Sequence, residues 1–276
     1  MRRIILSRLF TEDLRIAYGD QVIVKDLNML IPDGKITAII GPNGCGKSTV
    51  LKTVARIIQA KSGSVFLDGK QISKESTKSI AQKMAILPQS PDAPEGLTVG
   101  ELVSYGRFPY QRGMGKLNDK DRNVIEWALK ATGISDFKDR EVDALSGGQR
   151  QRVWIAMALA QETDIILLDE PTTYLDLCHQ LEVLELLKEL NVLENRTIVM
   201  VIHDLNHAAR FADHLIAMRE GSIVKSGNGK EVMTKPILRE VFNIDAEIGI
   251  DPRTKKPICL TYDLVSSNAL AQEQIS

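Results

Sequence analysis

The sequence predicts an α/β fold with a parallel-sheet core, an antiparallel β layer and an inserted helical subdomain. Three observations predict it. Runs 36–40, 165–168 and 198–202 are rich in Ile, Leu and Val, and the lack of polar alternation marks strands covered by helices on both faces. Each run is followed by apolar residues at helical spacing. Between Gln89 and Ala144 that alternation stops: prolines cluster at Pro88, Pro91 and Pro94, and helical patterns take over.

Taken in chain order, residues 14–24 alternate around Tyr18, Gly19 and Asp20, which reads as a β-hairpin, and 64–67 followed by Asp68-Gly69 continues that layer. After the first buried run, Val50, Leu51, Val54, Ile57 and Ile58 share one face of a predicted helix. Thr98 and Glu101 have capping-box spacing, and a second helix of the insert around 121–131 carries Val124, Ala128 and Ala131 on one side. After the second run, Leu177, Leu181, Leu184, Leu187 and Leu190 form a stripe that fits a coiled-coil seam or, more commonly, a helix lying on its own sheet. After the third, Leu205, Ala208, Ala209 and Ala212 repeat the pattern. The stretch EIGIDPRTKKPICL suggests two short strands around a Pro-bounded turn, and the last residues, SSNALAQEQIS, read as a frayed tail.

Composition narrows the function. Hydrophobic residues at 43% and charged residues at 26% of 276 exclude wholesale disorder and a polytopic membrane protein. Lys and Arg total 35 against 36 Asp and Glu, so no global basic field recruits nucleic acid. Cys45, Cys178 and Cys259 are odd in number and lack C-x-x-C spacing, which argues against a zinc site or disulfide framework and suggests a reducing cytosol. In the positively charged start MRRIILSRLF, Ser7 and Arg8 interrupt the apolar run, so no export is expected. The buried runs fall far short of the roughly 20 residues a spanning helix needs.

The sharpest motif is GPNGCGKST, Gly41 to Thr49, between a predicted strand and a predicted helix. This is the P-loop spacing in its proper context. Small residues let successive backbone N–H groups close around phosphate oxygens at a helix N-terminus. Lys47 would reach the β- and γ-phosphates, and the Ser48 hydroxyl would serve Mg2+. IILLDEP, from Ile165, ends an apolar strand in Asp169, a metal ligand, and Glu170, which would orient or deprotonate the attacking water. A strand ending in solvated acids carries the same residues; the P-loop beside it favours the chemical reading. In LSGGQRQR, Ser146 and Gln149 have capping-box spacing around Gly147 and Gly148, which builds a second anion-binding helix terminus.

In that order, GPNGCGKST, LSGGQ and ILLDEP resemble the ATP-binding cassette ATPases of ABC transporters. The resemblance spans about residues 12–245 and implies a P-loop ATPase domain there, with the helical subdomain inserted at about 90–155 and an appendage over 246–276. It further matches Gln89 to the Q-loop, Asp176 to the D-loop and His203 to the switch histidine. Tyr18 stands where an aromatic stacks on adenine. The implied catalytic set is Lys47, Gln89, Glu170 and His203. The implied Mg2+ ligands are Ser48, Gln89 and Asp169. ATP would be held by Gly41, Pro42, Asn43, Gly44, Cys45, Gly46, Lys47, Ser48 and Thr49 of one chain. Ser146, Gly147, Gly148 and Gln149 of a second copy would close over it, with Asp176 communicating between sites. Thiol reagents are expected to inhibit at Cys45.

The resemblance also implies partners: integral membrane permease subunits, indirectly a substrate-binding protein, no nucleic acid, and a place at the cytoplasmic face of the membrane. SYGRFPYQ (104–111) and TTYLDLCHQLEVLELLKELN (172–191) are similar to the iron-siderophore importer branch, although that branch usually has Pro-His where Pro109-Tyr110 stands. Phe108 and Tyr110 could instead pack the insert, and His179 and Gln180 could cap or decorate a helix. Haem or cobalamin import, or a soluble ABC switch, are the alternatives.

Overall fold

The structure, a computed structural model, describes residues 7–89, 91–111, 116–173 and 175–265. The charged start up to residue 6, Tyr174 of the D-loop motif and the tail 266–276 lie outside the described residues. The chain forms two compact units, Met1–Phe66 with Val201–Ser276, and Leu67–Met200.

In the first unit, Leu9–Tyr18 pairs antiparallel with Gln21–Leu27 and turns at Tyr18 opposite Gln21, the hairpin read from the sequence. Ser62–Leu67 lies on its other side. The rings of Phe10 and Phe66 stack at 4.8 Å between these strands. The buried run Ile36–Ile40 pairs parallel with His214–Arg219. Its start is pinned on both groups of one residue: Ile36 N–H donates to the Asp213 carboxylate at 3.1 Å, and Ile36 C=O accepts from Asp213 N–H at 2.8 Å. That register fixes where the strand ends and the glycine-rich turn begins.

The helix after that turn, Lys47–Val54, is shorter than its stripe. Arg56 takes a left-handed φ of +62° and Ile57 is exposed, so the stripe's last two residues continue the spacing without the helix. The C-terminal hairpin of Ile244–Ile250 and Pro257–Leu264 matches the two strands expected there. It grips the helix Leu205–Phe211: the Asn206 amide exchanges hydrogen bonds with Cys259 N–H and C=O at 2.8 and 3.0 Å. Lys256 Nζ donates to the carbonyls of Arg210 and Ala212, both at 2.9 Å.

In the second unit, Ile165–Asp169 lies between Met84–Leu87, with which it pairs parallel, and Thr197–Val201. Met84–Leu87 is a strand the sequence reading passed over, because four apolar residues before a proline cluster carry no period. The parallel pairs in both units, the antiparallel layer and the helices make the α/β fold expected.

The helices Val99–Ser104, Asp119–Ala131 and Gly147–Ala160 pack on one another. Each begins at a capping box: Thr98 with Glu101, Asn118 with Asp121, and Ser146 with Gln149. The second box starts its helix two residues earlier than the apolar pattern indicated. Helix Leu177–Glu194 buries Val183, Leu184, Leu187 and Leu190, so the leucine stripe is used within the chain, while Leu177 at its start is exposed. Among the described residues no helix is long and apolar enough to cross a membrane.

The SYGRFPYQ motif proves to hold the insert together. Arg107 is 1% exposed. Its guanidinium meets the Asp121 carboxylate at 2.9 Å, Ala160 C=O at 2.7 Å and the Glu162 carboxylate at 2.8 Å, and lies 4.1 Å from the centre of the Tyr110 ring. The Tyr110 hydroxyl in turn donates to Gln161 C=O at 2.9 Å. Tyr110 therefore packs the insert, while Phe108 stays exposed and stacks on Tyr105. Removing one partner of such a buried pair leaves a charge uncompensated. Arg107→Ala is accordingly expected to lose about 3–5 kcal/mol of stability in denaturant unfolding; a loss below about 1 kcal/mol would show that the network is not held against water.

Candidate active site

The glycine-rich turn begins at a position that a side chain could not take. Gly41 leaves the buried strand at φ +154°, and a Cβ there would lie 2.3 Å from Met218 C=O. Only glycine fits this exit. The helix that follows starts at Gly46 with no side-chain cap and no acidic residue in its first turn. The positive end of its dipole therefore meets no side-chain carboxylate of its own first turn and suits an anion. Lys47 is 5% exposed, and its ammonium donates to Gly41 C=O and Pro42 C=O, both at 2.9 Å. The cation is held inside the turn formed by Gly41, Pro42, Asn43, Gly44, Cys45 and Gly46.

Cys45 closes the same turn from behind, its C=O accepting from Gly221 N–H at 3.0 Å. It is buried, and burial pushes its thiol above the ordinary value, with Lys47 only partly offsetting this. Thiolate is the reactive species, so alkylation of Cys45 is expected to be slow at neutral pH and to quicken as pH rises. Mass spectrometry after brief alkylation is expected to find exposed Cys178 labelled and Cys45 still free; prompt labelling of Cys45 would contradict this.

Two further residues singled out by the sequence belong to the first unit. Ile202 N–H donates to Ile39 C=O at 3.2 Å, which sets the exposed His203 beside the strand that ends at Gly41. Asp204 then caps the helix Leu205–Phe211 by accepting from His207 N–H at 2.7 Å. Tyr18, 52% exposed, sits at the tip of the hairpin whose return strand packs against Gly46 through Val24.

The second unit carries the carboxylates. Asp169 ends its strand 1% exposed, and Glu170 follows with a left-handed φ of +54°. Non-glycine residues hold that conformation at a cost of about 1–2 kcal/mol, a strain that tends to collect at functional sites. The turn aims the Glu170 carboxylate at Gln89, whose amide N–H donates to it at 2.6 Å, and at Thr173, whose hydroxyl donates at 3.0 Å. Gln89 and Glu170 are 81 positions apart in sequence. Thr173 stands in the TTYLD motif without a role assigned from the sequence, although its position three residues after Glu170 in a turn is a usable signal.

At the start of helix Gly147–Ala160, Ser146 Oγ accepts from Gln149 N–H at 3.3 Å and the Gln149 side chain accepts from Ser146 N–H at 3.1 Å. The box occupies two donors, so an anion there would use the N–H groups of Gly147 and Gly148. Asp176 caps Leu177–Glu194 by accepting from His179 N–H at 2.9 Å. That bond and the His179 ring hold its carboxyl below the usual range.

Ser48, Gln89 and Asp169 offer a hydroxyl, an amide and a buried carboxylate. Each offers a hard oxygen donor of the kind Mg2+ takes. The donor chemistry therefore fits the metal.

The ABC transporter family model matches residues 24–173. The iron(3+)-hydroxamate import ATP-binding protein FhuC of Bacillus subtilis is 64% identical over 95% of this chain and 97% of its own. The ferric enterobactin transport ATP-binding protein FepC of Escherichia coli is 47% identical over 92% and 93%. Among solved structures, the dimeric post-hydrolysis state of the ATP-binding cassette MJ0796, bound to ADP and Pi, superposes with a TM-score of 0.71. It shares 30% identity, covering 80% of this chain and 98% of that one.

Proposed function

The chain belongs to the ABC transporter ATP-binding family, and on that premise we propose that it is the ATP-hydrolysing subunit of an importer for iron(3+)-siderophore complexes. Family membership carries the ATPase activity. The cargo rests on FhuC and FepC, whose names give iron(3+)-hydroxamate and ferric enterobactin. The observation that carries the binding chemistry is the uncapped helix Lys47–Val54, with Lys47 buried in the turn before it.

In this reading the N–H groups from Gly44 to Thr49 surround the β-phosphate, and Lys47 turns from its carbonyl partners to the β- and γ-phosphates. Tyr18 stacks on the adenine. Ser48, Asp169 and Gln89 would hold Mg2+, which when bound would neutralise part of the phosphate charge. Glu170 takes a proton from the attacking water, and His203 keeps that water and the γ-phosphate in register. A lone P-loop leaves one side of the triphosphate in water. A second copy therefore closes it, Gly147 and Gly148 N–H donating to the γ-phosphate in trans, which excludes solvent and adds donors where charge develops.

Asp176 communicates between the two sites. The domain at about 12–245 then acts on separate permease subunits at the cytoplasmic face of the membrane, through the insert at about 90–155, and the appendage from 246 follows it. The test compares uptake of radio-iron hydroxamate by cells with and without this chain. Uptake is expected to vanish without it and to return with the wild-type chain but not with Lys47→Ala. Undiminished uptake without the chain would overturn the cargo assignment.

A further inference from the structure

The TTYLDLCHQ motif holds a side chain that the nucleotide chemistry leaves unused. His179 folds back along the first turn of its helix, so that Nδ1 lies 2.8 Å from the Asp176 carboxylate, which already caps the helix through His179 N–H. A carboxylate is acceptor only, so Nδ1 carries the proton and donates. The opposite edge of the ring covers Gly148: a Cβ on that glycine would lie 2.8 Å from the His179 Cδ2 and 3.3 Å from its Nε2. Gln180 completes the grip, its side-chain amide donating to Leu175 C=O at 2.9 Å. One imidazole thus touches the D-loop on one side and the signature turn on the other.

We propose that His179 is a positioning residue that fixes Asp176 and the Ser146–Gly148 turn in one spatial register, so that both meet a second copy and its nucleotide together. The proposal rests on the ATPase reading above and deepens it. The geometry is not arranged for stability: the side chains of His179 and Asp176 are 42% and 67% exposed, and such pairs contribute little to folding. Asp176 and Ser146 are the N-cap residues of their helices, where the chain leaves a loop that holds its own geometry weakly. Displacing a group by about 1 Å can cost on the order of 10²-fold in rate. A hydrogen bond with small folding value can therefore have a large value in turnover. The same ring gives Gly148 a second reason to be glycine, since any Cβ would push the ring away from Asp176.

The test is phosphate release by the full chain in three variants. In His179→Asn the amide nitrogen stands where Nδ1 stood and still donates to Asp176, whereas His179→Gln reaches only to the place of Nε2, and His179→Ala removes both contacts. Expected are kcat values lowered about tenfold or more in Ala and Gln, with Asn, which keeps the Asp176 bond but not the ring edge over Gly148, clearly above both and below the wild type. KM for ATP should stay within about twofold throughout, the signature of a group acting after nucleotide has bound. Asn no better than Gln, or Ala with wild-type kcat beside a working wild-type enzyme, would overturn this proposal alone. No phosphate release by the wild-type chain would overturn the ATPase reading and the proposal with it.

Discussion

Glu170→Gln is expected to keep ATP and to accumulate as a closed dimer. The substitution preserves volume and leaves an oxygen to accept from Thr173 Oγ1, which holds the native carboxylate at 3.0 Å. It leaves untouched the uncapped helix N-terminus and Lys47, the groups assigned to the triphosphate. What is lost is the base: an amide cannot take the proton of the attacking water. Loss of a positioned base lowers rate by about 10²–10⁴-fold. With binding intact and hydrolysis stalled, the closed pair is trapped, because reopening requires the γ-phosphate to leave. Sedimentation with ATP and Mg2+ is expected to show a dimer for the variant and a smaller dimer fraction for the wild type. A monomeric variant, or one that releases phosphate at the wild-type rate, would remove Glu170 from the role of base.

Lys47→Ala is expected to lose both nucleotide and turnover. Lys47 is 5% exposed and its ammonium donates to two carbonyls of its own turn, so the folding chain has already placed it. Truncating a buried, hydrogen-bonded charge that pairs with a ligand costs about 2–5 kcal/mol, or at least about thirtyfold in affinity. The variant also strips Gly41 and Pro42 of their donor, which loosens the exit that only glycine can make. Titration with a fluorescent ATP analogue measures the loss. Near-normal affinity and hydrolysis would mean that the turn does not bind phosphate.

Much of the site is legible in the sequence because helix-start chemistry is local. Gly41 to Thr49 and Ser146 to Gln149 each specify a turn and a first helical turn within a few consecutive residues. The hairpin at Tyr18 and the capping box at Thr98 are legible for the same reason. Features that depend on distant residues are not. The bond from Gln89 to Glu170 joins positions 81 apart, and only family resemblance brought Gln89 forward. Glu170's left-handed backbone has no local marker, since Glu carries none of the bias toward that conformation that Asn or Gly shows. Arg107 was hidden by a sound rule, that arginines stay at the surface unless paired; its partners Asp121, Ala160 and Glu162 lie 14, 53 and 55 positions further along the chain. Periodicity overran at Ile57 and Leu177, where the apolar spacing continued past the residues that packing buries.

The most direct measurement is the structure of Glu170→Gln grown with ATP and Mg2+. The account predicts a triphosphate held by the N–H groups of the Gly44–Thr49 turn of one copy and capped by Gly147 and Gly148 of its partner. A turn at Gly41 with no nucleotide in it, or a Ser146 turn remote from any nucleotide, would contradict it.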